Sequence, residues 1–198
     1  MADISEVYQI LGVDPQRANE LALEGLQEAK DQNQKDSLNW VRAYALVEMK
    51  EFAEARLIWS DIFIRDGSHK ALHQVGFVVR SEGNLKKALE LFKEETLLID
   101  KSDVVAVAAN LYELCYCSFL LGDLEGAWEY FKEYQSLEFN EVDIIERACF
   151  FRLKGDLLSK SDAFSARAAY QKSRELFIKA GDVTGAAEVD QRIAEALS

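Results

Sequence analysis

Proline occurs once in the 198 residues, at Pro15, and no stretch is of low complexity, which leaves little room for a linker or a disordered tail. Cysteine is scarce and odd in number. Cys115, Cys117 and Cys149 all sit within helical patterns and no Cys-x2-Cys spacing occurs, so no disulfide framework is expected and a reducing, cytoplasmic compartment fits best. The first six residues have neither a basic start nor an apolar run, which argues against a signal peptide. Basic side chains are outnumbered 23 to 35, for a net charge of −12. That field repels phosphate backbones and anionic lipid, and no cluster of Lys and Arg offsets it, so neither nucleic acid nor membrane is an expected partner. The most apolar stretch, 104–121, approaches membrane length. Asn110 and Glu113 interrupt it and no basic residues flank it, which predicts a buried helix.

Catalytic signatures are also missing. The chain has no Gly-x-Gly-x-x-Gly, no Walker A loop and no Gly-x-Ser-x-Gly elbow. His69 and His73 are one helical turn apart and can reach one metal, but Lys70 stands where the zinc-protease motif needs Glu and no third ligand is in view. Cys115 and Cys117 point about 200° apart on a helix, so they cannot clamp one ion. No enzyme activity, cofactor or metal is therefore expected. The abundant carboxylate pairs read as solvated helix faces.

What the chain does have is helical periodicity. Residues 69–100 read as two amphipathic helices joined at Gly83-Asn84. Leu72, Val75, Gly76 and Val79 form one apolar stripe, and Leu85, Ala88, Leu89 and Phe92 form the next. Gly83 supplies the positive φ that ends a helix. The hairpin recurs. Leu111, Leu114, Cys115, Gly122-Asp123-Leu124, Ala127 and Phe131 overlay Leu72, Val75, Gly76, Gly83-Asn84-Leu85, Ala88 and Phe92. An earlier copy has Ala43, Phe52, Ala55 and Trp59, and a later one has Gly155, Phe164, Ala166 and Tyr170.

The second-helix alanines fall at 55, 88, 127 and 166, in steps of 33, 39 and 39. The small residue, the turn and the Ala-x3-aromatic pair resemble the tetratricopeptide repeat, W-x2-L-G-x2-Y then A-x3-F over about 34 residues. The initial Trp and terminal Pro of that pattern are absent, and the longer links resemble its bacterial-type 40-residue variants. The resemblance covers residues 37 to 197. It implies an all-α, right-handed superhelical solenoid of about ten helices in a single domain over 1–198. N-terminal helices occupy 1–36, hairpins 37–66, 69–100, 103–137 and 141–180, and a capping helix 183–197.

Local signals set the expected boundaries. Val7, Ile10 and Leu11 give a short first helix its apolar side. Asp14-Pro15 reads as an N-cap with proline at the first helical position. The helix it opens is expected to run to about Asn33 and to bury Ala18, Leu21, Ala22, Leu26 and Ala29, with Asp36 or Ser37 capping the next. Arg42 and Asn39 stand where other copies place apolar residues. Ser102 or Asp103 caps the third hairpin, with Asn140 and Asp182 equivalent in later links. The step from Gly155 to Ala166 is one residue shorter than its counterparts, which predicts a deletion around residues 160–162. In the last helix Ile193, Ala194 and Leu197 are expected to close the core while Glu188, Asp190, Gln191, Arg192 and Glu195 face water.

Candidate binding residues lie three before and one after the small residue of each first helix: Trp40 and Tyr44, His73 and Phe77, Tyr112 and Tyr116, Arg152 and Asp156. Arg80 and Phe119 extend the same face. The resemblance implies that this face lines a concave groove, so Tyr44, His73, Phe77, Arg80, Tyr112, Tyr116, Phe119 and Arg152 are expected to bind a protein or peptide with apolar anchors and a carboxylate. Aromatics and arginine are common anchors of binding hot spots. The rings can instead pack between helices. Similar repeats serve as scaffolds, co-chaperones and sensor domains, and a structural, self-associating homodimer is the alternative reading.

Overall fold

A computed structural model describes residues 4–137 and 143–195. Among them are eleven α-helices and no strand: α1 Ile4–Leu11, α2 Pro15–Glu28, α3 Gln32–Glu48, α4 Phe52–Asp66, α5 His69–Ser81, α6 Leu85–Thr96, α7 Val104–Leu120, α8 Leu124–Ser136, α9 Ile144–Leu158, α10 Ala163–Ala180 and α11 Val183–Glu195. The chain divides into two compact units, Met1–Leu91 and Phe92–Ser198, with the division inside α6. In the first unit α2 packs on α1 and α3, and α4 on α3 and α5. Val7, Ala18, Ala22, Val41 and Ala45 form its N-terminal core, with Ile10, Leu11 and Leu21 packed around them. In the second unit α7 packs on α8 and α9, and α10 on α9 and α11.

The hairpins bury the same positions. The second-helix alanines Ala55, Ala88, Ala127 and Ala166 have no exposed surface, and the aromatic four residues on (Trp59, Phe92, Phe131 or Tyr170) is buried each time. The small residues Ala43, Gly76, Cys115 and Gly155 are buried as well. Two of these contacts show why small side chains sit there. A methyl group added at Gly155 would lie 2.4 Å from the ring of Tyr170. The Cys115 thiol donates to the Ala127 carbonyl at 3.1 Å, so first-helix side chain meets second-helix backbone directly. The turns at Gly83 and Gly122 have φ of 85° and 80°, which β-carbon sterics disfavour for other residues.

Three buried polar side chains of the second unit, Asn110, Ser173 and Tyr134, are hydrogen-bonded between helices. Asn110 of α7 donates to the Phe92 carbonyl at 2.8 Å and to the Glu95 carboxylate at 2.7 Å, and accepts from the Thr96 hydroxyl at 2.7 Å. The polar interruption in the apolar run is thus a lock between α6 and α7. Ser173 and Tyr134 donate to the Ala148 and Glu146 carbonyls of α9, at 2.7 and 3.2 Å. Among the described residues no helix is long and apolar enough to cross a membrane.

Several boundaries differ from the sequence expectation. The helix opened by Asp14-Pro15 stops at Glu28, and α3 begins at Gln32 under an Asp31 cap. Asp31 accepts from the Gln34 N–H at 2.9 Å while the Gln34 side chain accepts from the Lys30 N–H at 3.0 Å. This reciprocal pairing resembles a capping box and outcompetes continuation of α2. Asp36 therefore lies inside α3, where it pairs with Arg65 at 2.8 Å, and Ser37 bonds back to the Asn33 carbonyl. Of the two candidates for the α7 cap, Asp103 takes the role, accepting from the Ala106 N–H at 3.0 Å. Asp182 caps α11 in the same way, by accepting from Gly185, and Asn140 lies outside the described residues.

The one-residue difference in the fourth hairpin is not a deletion at 160–162. The link 159–162 is one residue longer than the corresponding links 82–84 and 121–123, while α9 stops three residues past Gly155 where α5 and α7 run five past Gly76 and Cys115. Without a glycine, the link closes through the Ser161 and Asp162 N–H groups on the Leu158 carbonyl, at 2.9 and 2.8 Å. Arg42 is largely buried and pairs with Glu54, which places a charged residue at an apolar-stripe position without stranding its charge. Ala194 is exposed and Ile193 half-buried; Leu197 lies outside the described residues.

Two outcomes follow from this packing. Gly155→Ala forces its methyl into Tyr170 and should cost about 1–3 kcal/mol, lowering the melting temperature by about 2–4 °C per kcal/mol. Gly12→Ala, whose methyl meets nothing within 4 Å, should change it little. Burial pushes the Cys115 thiol up to about 12 and that of Cys149 to about 11. Their thiolate fractions at neutral pH are therefore very small, and a disulfide-exchange reagent should label these two slowly in native protein and all three at once in urea. Fast native labelling of Cys115 would contradict the packing.

Candidate functional site

The second unit gathers the predicted residues on the first helices α7, α9 and α11. Each helix supplies a pair four residues apart, hence on one face: Tyr112 and Tyr116, Arg152 and Asp156, Glu188 and Arg192. The two tyrosine rings stack with centroids 5.8 Å apart and planes 26° apart. Arg152 donates through Nη1 to Glu188 at 2.6 Å and through Nη2 to the Tyr112 hydroxyl at 2.8 Å. Arg192 donates through Nε to Asp156 at 3.0 Å and through Nη2 to the Tyr116 hydroxyl at 3.4 Å. Both ion pairs span 36 positions, so α9 and α11 lie in register and one rung repeats the other with its charges reversed.

Burial orders the strength of these rungs. The Asp156 side chain is 6% exposed and its Arg192 partner 22%, whereas Glu188 is 51% exposed. The inner pair therefore lies in the lower dielectric. Burial pushes Asp156 above the ordinary carboxylate range; Arg192 beside it and the Tyr170 hydroxyl, which donates at 2.9 Å, act in the opposite direction. Burial likewise holds the Tyr112 phenol well above its ordinary range, so it stays neutral and accepts from Arg152. The Arg152 guanidinium also lies 5.9 Å from the Tyr112 ring centroid and 5.5 Å from that of Phe177.

Next to the inner rung is an open cavity of about 560 Å³. Tyr116, Phe119 and Leu120 of α7, Tyr170 of α10 and the link residues Ser159 and Lys160 wall it, with Asp156, Glu188, Gln191, Arg192 and Glu195 completing the lining. The Lys160 ammonium lies 5.9 Å from the Phe119 ring centroid.

In the first unit Tyr44 joins an aromatic cluster, 6.0 Å from Trp40 and 5.3 Å from the fully buried Trp59. Burial raises its phenol. On α5 the Arg80 guanidinium lies 5.0 Å from the Phe77 ring, and His73 is half-buried. Tyr44, His73, Phe77 and Arg80 thus belong to the first unit and Tyr112, Tyr116, Phe119 and Arg152 to the second. His69 and His73 share α5, and among the described residues no group of three or more metal-ligating side chains converges.

Sequence reading assigned Arg192 to solvent; the structure turns it inward onto Asp156 and Tyr116. Glu188 and Arg192 were legible as a pair with the same four-residue spacing as Arg152 and Asp156, on a segment already recognised as a first helix. Lys160 carried no such signal, since its position depends on how the glycine-free link folds. Arg152, expected to meet a ligand carboxylate, already holds Glu188, so such a carboxylate has to displace it.

No family model matches the sequence, and no protein of curated function matches it. Among solved structures the chain is similar to BtubC (BKLC) from P. vanneervenii, with 16% identity and a TM-score of 0.59 over 96% of this chain and 90% of that one. At that identity the likeness shows an all-helical fold and carries no activity or partner with it.

The inner rung makes a measurable claim. Arg192→Ala strands a buried carboxylate and should cost about 1–3 kcal/mol at neutral pH. Losing the arginine raises the folded-state pKa of Asp156 further above its unfolded value, so the folded variant binds more protons in that window. Its deficit should therefore shrink as pH falls through the folded pKa, until both states are protonated. Urea titrations of both proteins from pH 7 to 4 check this, and a deficit independent of pH would refute the pairing.

Proposed function

We propose that the chain is a non-catalytic scaffold of the tetratricopeptide-repeat type, cytoplasmic, that captures a protein or peptide segment on the face formed by its first helices. The observation that carries this reading is the shared position of the pairs: α7, α9 and α11 each present two side chains four apart, and within the second unit all six meet on one face. The recurrence of a buried small residue, alanine and aromatic in each hairpin supports the repeat architecture. The right-handed superhelix and the groove belong to this proposal.

A face of this kind binds rather than reacts. Its guanidinium groups already have carboxylate partners and its phenol at Tyr112 is held neutral, so the groups in it are poised to recognise. In the second unit apolar anchors of a partner would stack on Tyr116 and Phe119; in the first, Phe77 presents a ring of its own. A partner carboxylate would compete with Glu188 for Arg152 in the second unit, and in the first it would approach Arg80 beside the Phe77 ring.

Pull-down with the intact chain followed by mass spectrometry identifies the partner. Tyr116→Ala and Arg80→Ala should each weaken its binding by about 1–3 kcal/mol. Lys86, Lys93 and Lys132, exposed on α6 and α8, are the control positions. If changing those lysines abolishes binding while Tyr116→Ala and Arg80→Ala leave it intact, the first-helix face is not the site. Light scattering at several concentrations reads the competing homodimer, which would remain associated on dilution.

A further inference from the structure

On α9 the side of the helix away from the charge ladder is apolar. Lys154 is two residues from both Arg152 and Asp156, so it points about 200° from each. It sits between Phe151 and Leu158, one turn to either side, which pack half-buried against the second-unit core. With Phe164, Ala168 and Ala169 of α10 these residues line an open groove of about 470 Å³. Phe164 is 86% exposed, a large apolar surface left to water on this side of α10. Among the described residues neither Lys154 nor Arg167, one turn past Phe164, has an ion pair. In a chain of net charge −12 this groove is thus apolar and edged by unpaired positive charge.

A surface of matching shape and opposite charge is on α4 of the first unit. Leu57, Asp61 and Ile64 fall at i, i+4 and i+7 and share one face, with Leu57 65% and Ile64 80% exposed. Asp61 is exposed and has no partner among the described residues, because Arg65, one turn on, is held by Asp36 and Asp66. Read in opposite directions the two triplets have one spacing. Three residues and then four separate Ile64, Asp61 and Leu57, and the same steps separate Phe151, Lys154 and Leu158. Each triplet spans seven residues, about 10 Å of helix. We propose that the groove takes α4 of a second copy of this chain, antiparallel to α9. Asp61 then meets Lys154, Ile64 meets Phe151 and Leu57 meets Leu158, beside the Phe164 ring. Copies of net charge −12 repel one another, so the association is reversible on dilution. Two copies that each seat the other's α4 close as a dimer, and copies that pass the contact on in one sense form a ring or a chain. The contact uses the flank of α9 away from the ladder, so it leaves the first-helix face open and goes beyond the scaffold reading.

Sedimentation velocity of the full chain over a concentration series tests the contact. The unsubstituted chain should pass from one copy to a larger species as concentration rises. Asp61→Lys and Lys154→Asp each bring like charges together and should weaken association about a hundredfold. An equimolar mixture of these two variants has opposite charges at every junction and should associate as the unsubstituted chain does. Ile64→Ser, which changes no charge, should weaken association about tenfold. Lys132→Asp, the same change of charge at an exposed position of α8, should leave it as it was. None of these side chains is fully buried, and circular dichroism verifies the fold. A chain that stays monomeric at its highest soluble concentration overturns the proposal, and so does a mixture that fails to recover association. If the chain is monomeric and Lys154→Asp instead impairs capture of another protein, the groove takes an acidic helix of that protein and not a second copy. Partner capture that survives Asp61→Lys keeps the scaffold reading whatever the sedimentation shows.

Discussion

The close approach of paired helices is the constraint on which the other features rest. In the second unit it is visible at atomic scale: Gly155 lies under the Tyr170 ring with no room for a methyl, and the Cys115 thiol reaches the Ala127 carbonyl. A small residue on one helix and alanine on the next bring the backbones together, and the aromatic four residues on seals the contact. Buried alanine removes little surface from water by itself, so the gain comes from the larger neighbours it lets in: Trp59, Phe92, Phe131 and Tyr170. The spacing also places Tyr170 where its hydroxyl meets Asp156, so the packing contact at Gly155 is coupled to the charge ladder one residue on.

That ladder settles how an acidic chain puts charge on an inward face without paying a full desolvation penalty. Two carboxylates and two guanidiniums alternate across α9 and α11, and each tyrosine of α7 accepts one further guanidinium hydrogen. Each charge has an opposite charge within hydrogen-bond distance, which is what makes buried ions tolerable. Replacing one partner is costly while the set is internally neutral, so the ladder serves to hold three helices at one register more than to add stability.

Much of the fold was legible because its signals are local. The turn glycines Gly83 and Gly122, the caps Asp14, Asp103 and Asp182 and the alanines at 55, 88, 127 and 166 all act within one or two helical turns of themselves. Where reading failed locally, at the α2–α3 junction, the Asp31–Gln34 signal was present and weaker cues at Asp36 and Ser37 were preferred. The fourth hairpin failed for another reason. A shortened step in sequence does not say whether helix or link absorbs it, and α9 absorbed it because its glycine-free link needed an extra residue.

By itself the sequence determined an all-helical chain of about ten segments and the alanine and aromatic positions they bury, since periodicity, capping and turn chemistry are set by neighbours along the chain. Tertiary structure alone decided which polar residues face inward. Arg192 meets Asp156 from 36 positions away and Tyr116 from 76, and no pattern within α11 announces either partner. The same holds for Lys160, whose ammonium finds Phe119 through the fold of a four-residue link. A charged side chain on a helix faces solvent by default, because only a partner in place repays its desolvation. That partner comes from another helix, and its position is a property of packing.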